Sequence, residues 1–132
     1  MRLAPTNPLR DAALVDAVLA FHGGHPKAKA TLTVVPCEHH PLRANVLPPD
    51  ASMASFMSDD IKWKNRQELP TYYRISGSVC VADWAYFEAE KSFLTPLTYA
   101  YPTDGPSGID IDGEADLALA AYWLGRLKGQ AT

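Results

Sequence analysis

Cysteine is scarce: Cys37 and Cys80 are the only two in 132 residues, too few for a disulfide scaffold and without the spacing of a zinc site. No apolar run approaches the length of a membrane span, and the first residues carry no secretory-signal pattern. Positive charge is in short supply as well. Twelve Lys and Arg against 15 Asp and Glu leave a net charge of −3, so no basic surface advertises nucleic acid or anionic lipid. No Gly-rich phosphate loop is present. No Ser/His/Asp or Cys/His arrangement carries a local catalytic signature. A reduced, cytoplasmic setting is expected, with no nucleic-acid and no membrane partner.

What is present fits one α/β domain with a core of its own. Met1–Ala4 reads as the end of a strand, and Pro5-Thr6-Asn7-Pro8 turns the chain. Asp11 is placed to cap a helix whose inner face is Leu14, Ala17, Val18 and Phe21, stopped by Gly23-Gly24. Thr31–Val35 follows as a strand. Strand, helix, strand predicts parallel pairing. Arg43–Leu47 reads as a short strand. Residues 48–65 read as a loop anchored at Phe56 and Met57. Ser78–Val81 and Leu97–Tyr101 are further strands, with a short helix after Asp83 between them. A last helix, Glu114 to Lys128, is expected to bury Leu117, Ala120, Ala121 and Leu124. Eleven prolines suggest long ordered connections.

The richest local signal is Ile109-Asp110-Ile111-Asp112 before that helix. On a strand the two isoleucines would face a core and Asp110 and Asp112 would project together. Paired carboxylates repel unless a cation sits between them, which is how hard-metal sites are often built. The alternative is an exposed Asp110 and an Asp112 that caps the helix. His39-His40 fits a structural, hydrogen-bonding role better than a metal, because adjacent side chains on an extended chain point apart. Arg66 and Arg74 bracket Tyr72-Tyr73. They are either holders of a carboxylate or phosphate or solvated surface charges.

Taken together, Pro5-Thr6-Asn7-Pro8-Leu9-Arg10, Glu38-His39-His40-Pro41, Arg66-Gln67-Glu68-Leu69-Pro70, Arg74-Ile75-Ser76-Gly77 and Ile109-Asp110-Ile111-Asp112 resemble, in their order, the acylneuraminate (CMP-sialic acid) cytidylyltransferases. The resemblance runs from about Leu3 to Leu127. It implies the C-terminal part of a Rossmann-like α/β nucleotidyltransferase fold with a small dimerisation element, here at about 59–98. It implies CMP transfer from CTP to a nonulosonic acid with Mg²⁺ as cofactor, and a homodimer. Asp110 and Asp112 would hold the metal. Arg66, Arg74 and Ser76 would contact the sugar, and Phe93-Leu94 would line a partner's sugar pocket.

The chain also departs from the family. The family's preceding nucleotide-binding segment, with its Gly-rich loop, has no counterpart in these residues. Ala4, Ser76, Cys80 and Leu94 stand where it has glutamine, asparagine, tyrosine and a second phenylalanine. Two readings follow. One is a cytidylyltransferase-like protein that is inactive as this isolated chain. The other is a non-catalytic, homodimerising module that binds a sugar or a metal.

Overall fold

A computed structural model describes residues 1–130. In chain order the elements are β1 (Arg2–Leu3), α1 (Ala12–Gly24), β2 (Ala30–Pro36), α2 (Asp59–Lys62), β3 (Tyr73–Ala82), α3 (Trp84–Glu90), β4 (Thr98–Pro102) and α4 (Glu114–Gln130). Two compact units divide them. One comprises Met1–Val35 and the chain from Ile75 onward; the other is Pro36–Arg74. The boundary falls inside the 59–98 stretch that the family resemblance marks for dimerisation.

The first unit is mixed α/β around a four-stranded sheet of order β1-β3-β2-β4. β2 is buried from Ala30 through Val35, on both faces, which demands an interior position in the sheet. It runs parallel to β4, with Ala30 opposite Thr98 and Val34 opposite Pro102. On its other side the Asp83 N–H donates to the Lys29 carbonyl, and further along the Ser76 hydroxyl reaches Thr33. β2 and β3 therefore run in opposite directions. β1 is antiparallel to β3, with Arg2 opposite Cys80. The expected parallel pairing across α1 is thus corrected: β1 and β2 share a direction, but β3 lies between them. Two-residue β1 forms a short edge, which offers little template for unwanted pairing.

Helix α1 starts where expected, the Asp11 carboxylate accepting the Leu14 N–H at 2.8 Å. Its Val18 packs with Val79 and Val81, supported by Leu14, Val15 and Tyr101. His22 of α1 bonds the Thr31 hydroxyl, so Thr31 faces α1. Leu32, next in the strand, points to the opposite face. There it lines a cavity of about 450 Å³ with Ile75, Phe87 and Phe93.

Within β3, Gly77 takes a φ of +73°, which is open to glycine at little cost. Beside it the Thr33 hydroxyl of β2 bonds across to β3. It accepts from the Val79 N–H at 3.1 Å and from the Ser76 hydroxyl at 2.8 Å.

Three further expectations need correction. Ile109–Asp112 is not a strand; it is an extended segment tied to the Pro5–Pro8 turn rather than to a ladder. Arg43–Leu47 is not a strand either, because Pro41–Arg43 forms a 3-10 turn and Asn45 bonds the neighbouring Val46 N–H through its own side chain. Helix α4 buries Ala120, whereas Leu117, Ala121 and Leu124 stay exposed. It meets the rest of its unit along the strip carrying Asp116, Ala120 and Trp123, too narrow to cover its apolar face.

The second unit, Pro36–Arg74, has little regular structure beyond α2 and 3-10 turns at Pro41–Arg43 and Arg66–Glu68. Ile61 and Leu69 are its buried apolar side chains among the described residues. Hydrogen bonds tie its ends and loops together. The Cys37 N–H donates to the Tyr72 carbonyl at 2.7 Å, and the Arg43 guanidinium donates to the Lys64 carbonyl. The Asn45 side-chain amide donates to the Phe56 carbonyl at 3.2 Å.

Candidate functional site

The Asp110 segment owes its position to its neighbours. Gly108, at the end of the 3-10 turn Pro106–Gly108, lies so close to β2 that a Cβ there would sit 2.4 Å from Val35 Cγ1. Only glycine allows that approach. Buried Asn7 then donates its side-chain amide to the Ile109 carbonyl at 2.9 Å, and the Ile111 N–H donates to the Thr6 carbonyl at 2.9 Å. Ile109 is buried as the sequence pattern suggested. The segment is clamped on both sides of Asp110.

Asp110 itself is partly buried, and its Oδ1 is buried without any hydrogen-bond partner. Such an orphaned carboxylate oxygen is costly unless a donor or cation satisfies it. Asp112 is exposed, and its side chain does not cap α4. Asp116 does that work, accepting from the Gly113 N–H at 3.0 Å and the Asp112 N–H at 3.2 Å. The capping role considered for Asp112 is therefore filled by another residue, which leaves the Asp112 carboxylate available. Among the described residues no group of three or more His, Cys, Asp or Glu converges to hold a metal by protein ligands alone. An ion at Asp110 and Asp112 would need further ligands from outside the chain.

The other candidates separate between the two units. Arg66 and Arg74 both belong to Pro36–Arg74 and both are exposed. Arg66 lines a cavity of about 340 Å³ with Arg43, Glu38, His39 and His40. Two guanidinium groups in one concavity suit a carboxylate or phosphate. Arg43 escaped sequence reasoning because it sits 23 positions before Arg66, and only the turn at Pro41–Arg43 brings the two together. His40 is structural, as its sequence context suggested. Its Nε2 bonds the Pro70 carbonyl at 3.0 Å, its Nδ1 accepts the Leu42 N–H, and its ring packs edge-on against Tyr72.

In the sheet unit, Ser76 is buried and its hydroxyl is engaged with Thr33. Phe93 packs on Phe87 at 4.6 Å and lies under the Arg2 guanidinium at 5.3 Å. Leu94 beside it is 66% exposed. A separate polar cluster joins α1, β2 and the start of α3. Asp83 takes Lys29 Nζ at 2.8 Å and His22 Nε2 at 3.2 Å. The Lys29 ammonium, and after it His22, hold the Asp83 carboxyl below its ordinary range. Asp83 stands at the N-cap position of α3, but its side chain makes these ion pairs and no capping bond.

No family model matches the chain.

Proposed function

We propose that this chain is the metal- and sugar-binding portion of an acylneuraminate cytidylyltransferase-like protein with a Rossmann-like nucleotidyltransferase fold. In that reading Asp110 and Asp112 hold Mg²⁺. The observation that carries it is the buried, unpartnered Oδ1 of Asp110 in a clamped segment, two residues before an exposed Asp112. The donor set fits the ion. Mg²⁺ is commonly held by one or two carboxylates and completed by substrate phosphates and water. When bound, the ion would neutralise charge on the nucleotide phosphates. Asn7 and Gly108 position the segment. The Arg43 and Arg66 cavity suits the carboxylate of a nonulosonic acid, and Arg74 lies in the same unit. Phe93 and Leu94 are the residues offered to a second copy.

Catalysis asks for more than these residues supply. Positioning of the triphosphate provides much of the rate in phosphoryl and nucleotidyl transfer, and the 132 residues hold no Gly-rich phosphate loop. The purified chain with CTP, Mg²⁺ and a panel of nonulosonic acids is expected to release no pyrophosphate above background. The metal reading is tested separately by Mn²⁺ titration, followed by water-proton relaxation. Weak binding is expected for the wild type and none for Asp110→Asn combined with Asp112→Asn. Equal binding by the two proteins rules the site out.

A further inference from the structure

The feature left unexplained is the outer face of α4. At 100° per residue, Glu114, Leu117, Ala121, Leu124 and Lys128 fall within about 80° of one another and form one stripe along the helix. Their spacing alternates three and four residues, which is the seam pattern of paired helices. Leu117 is 56% exposed and Leu124 43% exposed, and Ala121 between them is exposed too. Nothing in the described unit covers them. Neither the metal reading nor the aromatic cavity at Phe93 makes use of this face.

The charges say what covers it. The stripe starts with an acid and ends with a base, at equal distances from Ala121. Two copies of α4 laid antiparallel about Ala121 bring Glu114 of each opposite Lys128 of the other. Leu117 of each then meets Leu124 of the other. A parallel arrangement would stack acid on acid and base on base. The small side chain of Ala121 at the centre permits close approach of the two helices. An isologous two-fold contact needs a surface complementary to itself, and this stripe is one. We infer that α4 is a self-association surface, whose occupant is the antiparallel α4 of a second copy of this chain. This stripe shares no residue with the Phe93 and Leu94 face.

Sedimentation velocity over a concentration series tests the inference. The wild type is expected to self-associate. Because the two-fold axis counts each change twice, Glu114→Lys alone and Lys128→Glu alone should each weaken association by about tenfold. The double reversal should restore it, since opposite signs again face each other. All these positions are exposed, so the variants are expected to fold, with circular dichroism as the check. Placement is read by Ala121→Cys with a short bis-maleimide, which should link two chains efficiently. Ala115→Cys, on the far side of the helix, should not. A monomer at every concentration overturns the inference. So does association indifferent to the charge reversals, or equal crosslinking at the two positions. Association abolished by Phe93→Asp but untouched by the α4 variants would assign the contact to the other face and likewise overturn it.

Discussion

Replacing Gly108 by alanine puts a methyl group where β2 already has a side chain. The new Cβ would lie 2.4 Å from Val35 Cγ1, 3.0 Å from Cγ2 and 3.2 Å from Cβ. Comfortable carbon contacts are about 3.5–4.0 Å, so the closest pair overlaps by more than an ångström. Val35 is a β-branched residue, stiff at χ1, and only 1% exposed in an interior strand. Overpacking of this kind costs about 3 kcal/mol, a large part of the stability of a small domain. Val35→Ala alone removes two buried methyl groups, about 1.6 kcal/mol by transfer and about 2–3 kcal/mol once the cavity is counted. The double variant should be far better than the sum, because the methyl at 108 occupies the space vacated at 35. A total of about 3 kcal/mol is expected against about 5–6 kcal/mol for independent effects, a coupling of about 2–3 kcal/mol. Urea unfolding of the four proteins, followed by tryptophan fluorescence and circular dichroism, measures it. Additivity within about 0.5 kcal/mol would falsify the claim that the Asp110 segment is seated by contact of Gly108 with Val35.

Two further outcomes test the sheet unit. Gly77→Ala meets no clash, since its Cβ would lie 3.9 Å from Asn7 Oδ1, so the cost is that of φ +73° alone, about 1–2 kcal/mol, read as a lower urea midpoint with an unchanged slope. Asp83 has a depressed folded carboxyl pKa, so the unfolded chain binds the proton more readily and stability must rise with pH in that range. Its contribution is complete above the ordinary value of 3.8 and is lost as the pH falls below that toward the folded value. With Asp83 45% exposed the effect is screened and stays below about 1 kcal/mol. Asp83→Asn should flatten the acid limb of stability against pH, and an unchanged limb sinks the assignment.

The sequence was most readable where local chemistry decides. Asp11 and the apolar spacing that follows it specify α1, and the glutamate-to-lysine polarity of the last segment specifies α4. It was least readable where partners lie far apart. The alternation in Ile109–Asp112 suggested a strand, but whether an extended segment joins a ladder depends on what lies beside it. Here that is a turn about 100 residues earlier in the chain, as the separation of 102 between Asn7 and Ile109 records. Periodicity also reports which face of a helix is apolar, not how much of it finds a neighbour within the chain. Leu117 and Leu124 of α4 show the difference. Arg43 and Arg66 carry no signal of their proximity in the sequence, because their meeting rests on a three-residue turn and on the bond from Arg43 to the Lys64 carbonyl.

The bond from Asn7 to Ile109 closes a loop of about 100 residues, and the entropy of that closure must be met before Asp110 has its setting. Contacts of this range form late and slow a fold down. The Asp110 carboxylate is thus in its setting only when the Pro5–Pro8 turn has met the segment that carries it. On the proposed metal reading, an ion at Asp110 would bind only the folded arrangement, and by mass action its free energy of binding would stabilise the whole sheet unit rather than the segment it touches.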